Sequence, residues 1–195
     1  MESLHPIETT TETMPKSRSD ILPALPIRRA TSQDASAVLH LFDEAIAWFV
    51  RIGNTEQWGT VPASGQEKWT TRVADWCAAQ DTWVVEHPEA GVCGALVLGD
   101  AVAYVPAATE PELYVNVLIG SRDPRAKGVG RRLLAFTDER ANALGVELIR
   151  VDCYAGGSGD LVRFYESCGY TRTESFTVGD APNEWPGQVL ERRLG

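Results

Sequence analysis

The sequence has few residues of the kinds that build metal centres. Its 195 residues include three histidines and four cysteines, and neither type shows the close spacing of a metal-ligand cluster or a C-x-x-C pair. We therefore expect no metal site. The cysteines, most of them with apolar neighbours, are predicted to be buried free thiols.

Long hydrophobic runs and an excess of positive charge are also absent. No apolar stretch approaches the ~18 residues needed to span a bilayer, and the first 20 residues are too polar for a signal peptide. The formal net charge of −9 argues against a general nucleic-acid-binding surface, which is normally basic. These absences predict a cytoplasmic protein that binds neither membranes nor nucleic acids.

The composition, 44% hydrophobic and 23% charged, is typical of a globular protein. Residues 1–24 contain too little apolar surface to offset the entropy of ordering them, so we expect a flexible leader. Residues 25–195 are predicted to form one domain with the order β-α-α-β-β-β-α-β-α-β-β. Consecutive strands favour antiparallel pairing, and the strand–helix–strand unit over 112–153 indicates one parallel crossover. The fold class is therefore α/β, a mixed sheet with helices on both faces.

Several local signals accompany this order. The segment "DASAVLHLFDEAIAWFVRIG" has the apolar period of an amphipathic helix that ends at Gly53. Ser64 and Glu67 form a capping box that predicts the start of a second helix, which continues through Ala79. The segment "AVAYV" has the composition of a strand. Gly145 is predicted to end the third helix.

A basic, glycine-containing turn, "SRDPRAKGVGRRLLAF", lies between the strand "ELYVNVLIG" and a helix. The first N–H groups of a helix have no intrahelical acceptor and carry the positive end of its dipole, so such a turn can bind a phosphate or pyrophosphate. Gly128 and Gly130 could equally serve tight helix packing, with the cations solvated. The spacing excludes a Walker A loop, and the antiparallel surroundings argue against a Rossmann site.

Two motifs point to a known family. "LIGSRDPRAKGVGRRLL" resembles the acetyl-CoA signature R/Q-x-x-G-x-G/A of the GNAT N-acetyltransferase superfamily, with matches at Arg125, Gly128 and Gly130. "FYESCGY" resembles the family's aromatic–Tyr–x–x–x–Gly–aromatic element. The resemblance covers about the last 170 residues and implies a GNAT-like fold, mostly antiparallel with one parallel β4–β5 pair. It departs from the family at Ser158, where an asparagine is common.

The resemblance implies acetyl-CoA as the acyl donor, and no metal. In the family the fourth and fifth strands separate and the pantetheine arm enters between them. This places Leu118, Ile119, Gly120 and Ser158 along that arm. The residues expected around the pyrophosphate are Arg125, Ala126, Lys127, Gly128, Val129, Gly130 and Arg131.

Strand alternation suggests which side of "ELYVNVLIG" faces the cleft. The apolar row is Leu113, Val115, Val117 and Ile119, which we expect on the core. The opposite row is Glu112, Tyr114, Asn116 and Leu118, which we expect on the cleft. Glu112 is therefore the candidate general base, with Asp152 and Glu110 as alternatives; a solvent-facing glutamate with no catalytic role is equally compatible with the pattern.

Tyr165 corresponds to the tyrosine with which the family protonates the departing thiolate, although it also lies on the apolar stripe of its helix, where core packing would explain it. By analogy with the family, the loop after the first helix should border the acceptor, which makes Glu56 and Trp58 candidate substrate-binding residues. Asn116, in the row expected to face the cleft, is a third candidate. Trp185, in a late loop, is a further candidate for the cleft.

The resemblance implies an N-acetyltransferase that acts on a primary amine of a small molecule. Alternatives are an acetyltransferase of a protein or peptide amine and a non-catalytic CoA-binding regulatory module. A homodimer is compatible with the resemblance.

Overall fold

The computed structural model describes residues 25–79, 81–180 and 184–195; the predicted leader, 1–24, lies outside them. The element order is the predicted one. In chain order the elements are β1 (Ile27–Arg29), α1 (Ala35–Arg51), α2 (Glu67–Ala79), β2 (Asp81–His87), β3 (Gly91–Gly99), β4 (Glu112–Gly120), α3 (Val129–Leu144), β5 (Leu148–Tyr154), α4 (Asp160–Glu166), β6 (Thr171–Val178) and β7 (Trp185–Arg193).

The strands form one sheet in the order β1-β2-β3-β4-β5-β7-β6. Every neighbouring pair is antiparallel except β4 and β5, which confirms the mixed sheet with one parallel pair. This pair is short: 112–115 lie beside 148–151, and no further pairing is formed between these two described strands. β5 stays paired with β7 as far as Tyr154. A gap therefore opens between the C-terminal halves of β4 and β5.

Helices cover both faces of the sheet, as predicted. Leu133 and Leu134 of α3 pack with Ile149 in one buried cluster. Phe42 and Ile46 of α1 belong to a second cluster on the opposite face, together with Val73 of α2. The apolar period of α1 thus produces the buried stripe that its sequence predicts.

β4 contains a bulge that the sequence analysis did not anticipate. Val115 pairs with Leu98 and Val117 with Val97, so Asn116 is an extra residue opposite β3. As a result Val115 packs in the α3 and α4 cluster, whereas Ile119 packs in the α1 and α2 cluster. The predicted single apolar row from Leu113 to Ile119 is therefore wrong, because a bulge exchanges the two faces of a strand.

Two local predictions also fail. "AVAYV" is a loop, in which the N–H of Val105 donates to the carbonyl of Val102 (3.0 Å) and Val105 is buried against the sheet. Helix α2 begins at Glu67, and the Ser64 N–H donates to Asp43 instead (3.0 Å). In contrast, Gly145 ends α3 in the left-handed conformation (φ 67°), as its position predicts.

All four cysteines are free, and three of them are buried. In the described part of the chain, no helix has the length and apolar character required to cross a membrane, and no three His, Cys, Asp or Glu side chains lie together as a possible metal site.

Candidate active site

The basic turn forms the N-terminal end of α3. Gly128 has a φ of +87°, a conformation that glycine adopts without strain, and α3 starts at the next residue. A Cβ on Gly130 would lie 3.3 Å from the ring of Phe164. Among the described residues, none accepts a hydrogen bond from the N–H groups of 128–131. Four consecutive backbone donors at the start of α3 are therefore without a partner among the described residues.

A cavity of about 690 Å³ lies against this turn, between β4, α1 and α4; we call it the glycine-turn cavity. Trp48, Phe49 and Ile52 of α1 and its following turn form one wall, and Phe164 forms part of another. Nine of the residues predicted to bind the donor line this cavity: Leu118, Gly120, Ala126, Lys127, Gly128, Val129, Gly130, Arg131 and Ser158.

Two predicted donor contacts lie elsewhere. The exposed guanidinium of Arg125 donates to Asp123 (2.6 Å) and lies 3.7 Å from Glu89, and it does not line the glycine-turn cavity. Ile119 is buried on the α1 and α2 side of the sheet because of the bulge. The Ile119 side chain therefore belongs to the core. Arg125 stabilises the turn itself through its ion pair with Asp123.

A second cavity, of about 590 Å³, lies beneath α1 and α2; we call it the aromatic cavity. Its walls include Phe42, Trp58, Trp69 and Trp76, whose rings contact one another with Phe42–Trp69 centroids 4.9 Å apart. The charged side chains lining it are Arg72, Asp100, Arg122 and Asp152.

The predicted acceptor residues fall unequally around this cavity. Trp58, Asn116 and Trp185 line it, and Asn116 Nδ2 donates to the Asp100 carbonyl at 2.9 Å. Glu56 does not line it. Its carboxylate instead accepts a hydrogen bond from the Tyr154 hydroxyl at 2.6 Å, so Glu56 positions a tyrosine that does line the cavity.

The two cavities meet at the gap between β4 and β5. Leu118, Tyr154 and Tyr165 line both of them. Tyr165 is 4% exposed, and burial raises its pKa well above the usual value. Its hydroxyl therefore stays protonated at neutral pH, as a proton donor at this junction must.

Asp152 is the carboxylate that reaches the aromatic cavity from β5. Its Oδ1 accepts a hydrogen bond from the Tyr114 hydroxyl at 2.5 Å. Burial raises the pKa of Asp152, and the hydrogen bond from Tyr114 opposes that rise. A buried carboxylate of raised pKa is a better proton acceptor than an ordinary aspartate.

Glu112, the first candidate base, is not brought to either cavity. It lies where β4 and β5 are still paired, and its Oε2 is 3.4 Å from Nη1 of the buried Arg150. Burial raises the pKa of Glu112, and Arg150 opposes the rise. Glu110 is paired with Arg193 (2.8 Å). Of the three carboxylates considered from the sequence, the structure places Asp152 at the site.

The comparisons with known proteins agree with this geometry. The family model described as Acetyltransferase (GNAT) family matches residues 41–170. The chain belongs to the GNAT acetyltransferase family. This is the family that the two sequence motifs predicted.

Relatives of this GNAT chain include the probable N-acetyltransferase 14 of Macaca fascicularis, 30% identical over 145 residues that cover 71% of this chain and 57% of the relative. The human protein of the same name is 32% identical over 111 residues, 57% of this chain and 41% of the relative. The chain thus spans about half the length of these curated relatives.

Solved GNAT structures share the fold. A GNAT-family protein from Desulfovibrio desulfuricans has a TM-score of 0.65 at 17% identity, covering 88% of this chain and 100% of its own. A putative acetyltransferase from Salmonella typhimurium, solved with its cofactor acetyl-CoA, has a TM-score of 0.60 at 18% identity and covers 89% and 95%.

Acetyl-CoA, the donor of the GNAT family, suits the glycine-turn cavity. The four unpartnered N–H groups of 128–131 match a diphosphate, which accepts several hydrogen bonds. The gap between β4 and β5 leaves one backbone edge of β4 unpaired beyond Val115, where an amide-containing arm can hydrogen-bond. The residues present therefore fit the donor.

Sequence analysis missed several residues that line the aromatic cavity: Gln57, Arg72, Asp100, Tyr104 and Tyr154. Trp69 and Trp76 also line it. Tyr104 lies in the loop that we predicted as a strand, and Arg72 is an exposed residue of α2. No local motif marks any of these positions.

Proposed function

We propose that this GNAT acetyltransferase transfers an acetyl group from acetyl-CoA to a primary amine of a small molecule. The observation that carries the proposal is the meeting of the two cavities, with Tyr165 on both and Asp152 on the acceptor side. A volume of about 590 Å³ lies within the usual range of small-molecule sites.

On the donor side the chain supplies binding and orientation. The N–H groups of 128–131 would hold the diphosphate, while Lys127 adds positive charge beside it. Leu118 and Gly120 of β4 would flank the arm as it passes through the gap. Bound acetyl-CoA supplies an acetyl group activated as a thioester.

On the acceptor side the chain moves two protons. Asp152, directly or through a water, takes a proton from the ammonium group and releases it to solvent, so that the neutral amine can attack the thioester carbon. The C–N bond forms and the C–S bond breaks, and the nitrogen loses its second proton to solvent water. Tyr114 holds the Asp152 carboxylate in place through its 2.5 Å hydrogen bond. Tyr165 gives its phenolic proton to the departing sulfur and is then reprotonated from solvent.

The test has two steps on the full chain. Calorimetry should detect acetyl-CoA binding, and a panel of small primary amines should then be screened by release of the free thiol. We expect turnover with some amines and none with their N-acetylated forms. Absence of binding at millimolar acetyl-CoA would contradict the proposal. Binding without turnover on a wide panel, including peptides, would favour a non-catalytic CoA-binding module.

A further inference from the structure

Arg72 is a cation in the aromatic cavity with no anionic partner. It projects from α2, and its guanidinium carbon lies 5.8 Å from the centroid of the Trp76 ring. Within residues 25–79, 81–180 and 184–195, no carboxylate forms an ion pair with it and no group accepts a hydrogen bond from it. The neighbouring Asp75 on the same helix is also not paired with it. The Arg72 charge is therefore available to a ligand.

The carboxylate of Asp152 lies in the same cavity, beside Tyr104. The Tyr104 hydroxyl is 3.5 Å from Oδ2 of Asp152. Burial and the Asp152 charge raise the pKa of Tyr104 to about 12, and the Arg72 charge acts against them. Arg72, Tyr104 and Asp152 all line the aromatic cavity, which thus offers a ligand both a positive and a negative group.

The charges of the whole cavity balance. Two aspartates, Asp100 and Asp152, oppose two arginines, Arg72 and Arg122. A ligand with two or more cationic groups would meet a guanidinium at Arg72, whereas a ligand of no net charge meets no repulsion. Between the charged ends, Trp58, Trp69 and Trp76 offer aromatic surface to an apolar body.

We propose that the acceptor is an amino-acid-like zwitterion, in which a primary amine at Asp152 and a carboxylate at Arg72 are joined by a short, largely apolar skeleton. This inference rests on the proposed function and specifies its substrate class. Asp152 and Tyr165 set the chemistry. Arg72 sets which amines are accepted, because it can form a charge-assisted, bidentate pair with a carboxylate.

The test compares acids with their carboxamides, which keep the amine and lose the negative charge. The probes are phenylalanine, leucine and 4-aminobutyrate, each beside its carboxamide, with kcat/KM measured by thiol release at equal concentrations of neutral amine. We expect at least one acid to exceed its carboxamide about tenfold or more. Arg72→Gln should remove that preference by raising KM for the acid about tenfold, with kcat and the carboxamide rates little changed.

Lys68→Gln is the matched control, since Lys68 is an exposed cation of the same helix outside the aromatic cavity. It should leave the preference intact, and Arg72→Lys should restore part of it. Acetyl-CoA affinity, measured by calorimetry, should be the same in all variants and reports that they fold.

Two results would overturn the inference while leaving the proposed function in place. One is a wild-type enzyme that acetylates the carboxamides as well as the acids; the other is an Arg72→Gln variant that loses acids and carboxamides equally. Absence of thiol release from every amine, despite bound acetyl-CoA, would contradict the proposed function itself and this inference with it.

Discussion

The glycine-turn cavity and the aromatic cavity differ in what builds them. The first depends on backbone geometry within one continuous stretch: four N–H groups from 128–131, a left-handed Gly128 and the end of β4 just before them. The second is built of side chains from α1, α2, β5 and loops that are far apart in sequence. Acetyl-CoA is common to the whole GNAT family, whereas the acceptor cavity must suit a particular amine.

From this difference we expect the donor and acceptor sites to respond to mutation in different ways. Backbone donors survive most side-chain changes, so the glycine-turn cavity should be sensitive chiefly where conformation changes. The aromatic cavity should lose its function through single side chains. The five predictions below test this contrast, from the largest expected effect to the smallest.

Asp152→Asn should lower kcat by on the order of a thousandfold, because the isosteric amide keeps a hydrogen bond to Tyr114 and cannot take the amine proton. Burial raises the pKa of Asp152, so wild-type activity should fall as the pH drops through that raised value and the carboxylate becomes protonated. The variant should lack this limb in a pH–rate profile.

Glu112→Gln is the contrasting variant. Glu112 lies beside the buried Arg150, and an uncompensated buried charge destabilises a fold by about 3 kcal/mol. We expect a lower midpoint in a denaturant titration with kcat within about twofold of wild type. A large loss of kcat without loss of stability would return the role of base to Glu112.

Tyr165→Phe should lower kcat about a hundredfold, since a positioned general acid contributes on this scale, and should leave the Kd for acetyl-CoA nearly unchanged. Tyr170→Phe is the matched control. The Tyr170 hydroxyl is buried with no hydrogen-bond partner among the described residues and lines neither cavity. Stopped-flow thiol release on both variants would contradict the assignment if their rates were equal.

Gly128→Ala should weaken acetyl-CoA binding on the order of tenfold, as the unpartnered N–H groups lose their alignment. Gly145→Ala is matched to it, because both glycines have positive φ (+87° and +67°) and open space around the Cβ position. Each should cost about 1 kcal/mol of stability. Calorimetry should show weaker acetyl-CoA binding in Gly128→Ala alone. Equal affinities of the two variants would contradict the placement of acetyl-CoA at this turn.

Arg125→Gln should have the smallest effect, with the Kd for acetyl-CoA changing less than about twofold, because the exposed Arg125 is paired with Asp123 and lies outside the cavity. Lys127→Gln, which removes a cation from the cavity lining, should weaken binding several-fold at low salt and less at high salt. If Arg125→Gln raised the Kd for acetyl-CoA more than Lys127→Gln, Arg125 would instead be a direct ligand of acetyl-CoA.

Much of the fold could be predicted from the sequence, because periodicity and glycine stops act locally. The stripe of α1, the end of α3 at Gly145 and the parallel β4–β5 pair depend on such signals. The N-terminal end of α2 could not, since the Ser64 N–H donates to Asp43 of α1 (3.0 Å), a contact that requires the folded chain.

The same distinction between local signals and long-range contacts applies to the candidate site. The glycine turn and Tyr165 belong to motifs whose residues are close in sequence. Glu112 was a poor candidate because it lies where β4 and β5 are still paired, beside Arg150, and the sequence does not show where the two strands separate. No residue type in "ELYVNVLIG" announces the bulge at Asn116 either. Arg72 and Asp152 are 80 positions apart, and nothing but the folded sheet and helices brings them to one cavity.

The bulge at Asn116 has a genetic consequence. One extra residue in β4 places Ile119 on the α1 side of the sheet. It directly follows Val115, the last residue of β4 that pairs with β5. An in-frame deletion of a single codon there would place the two halves of the strand in one register. Tyr165, Asp152 and the glycine turn would all remain in the coding sequence. A gene could therefore lose this enzyme without losing any of the residues by which it would be recognised.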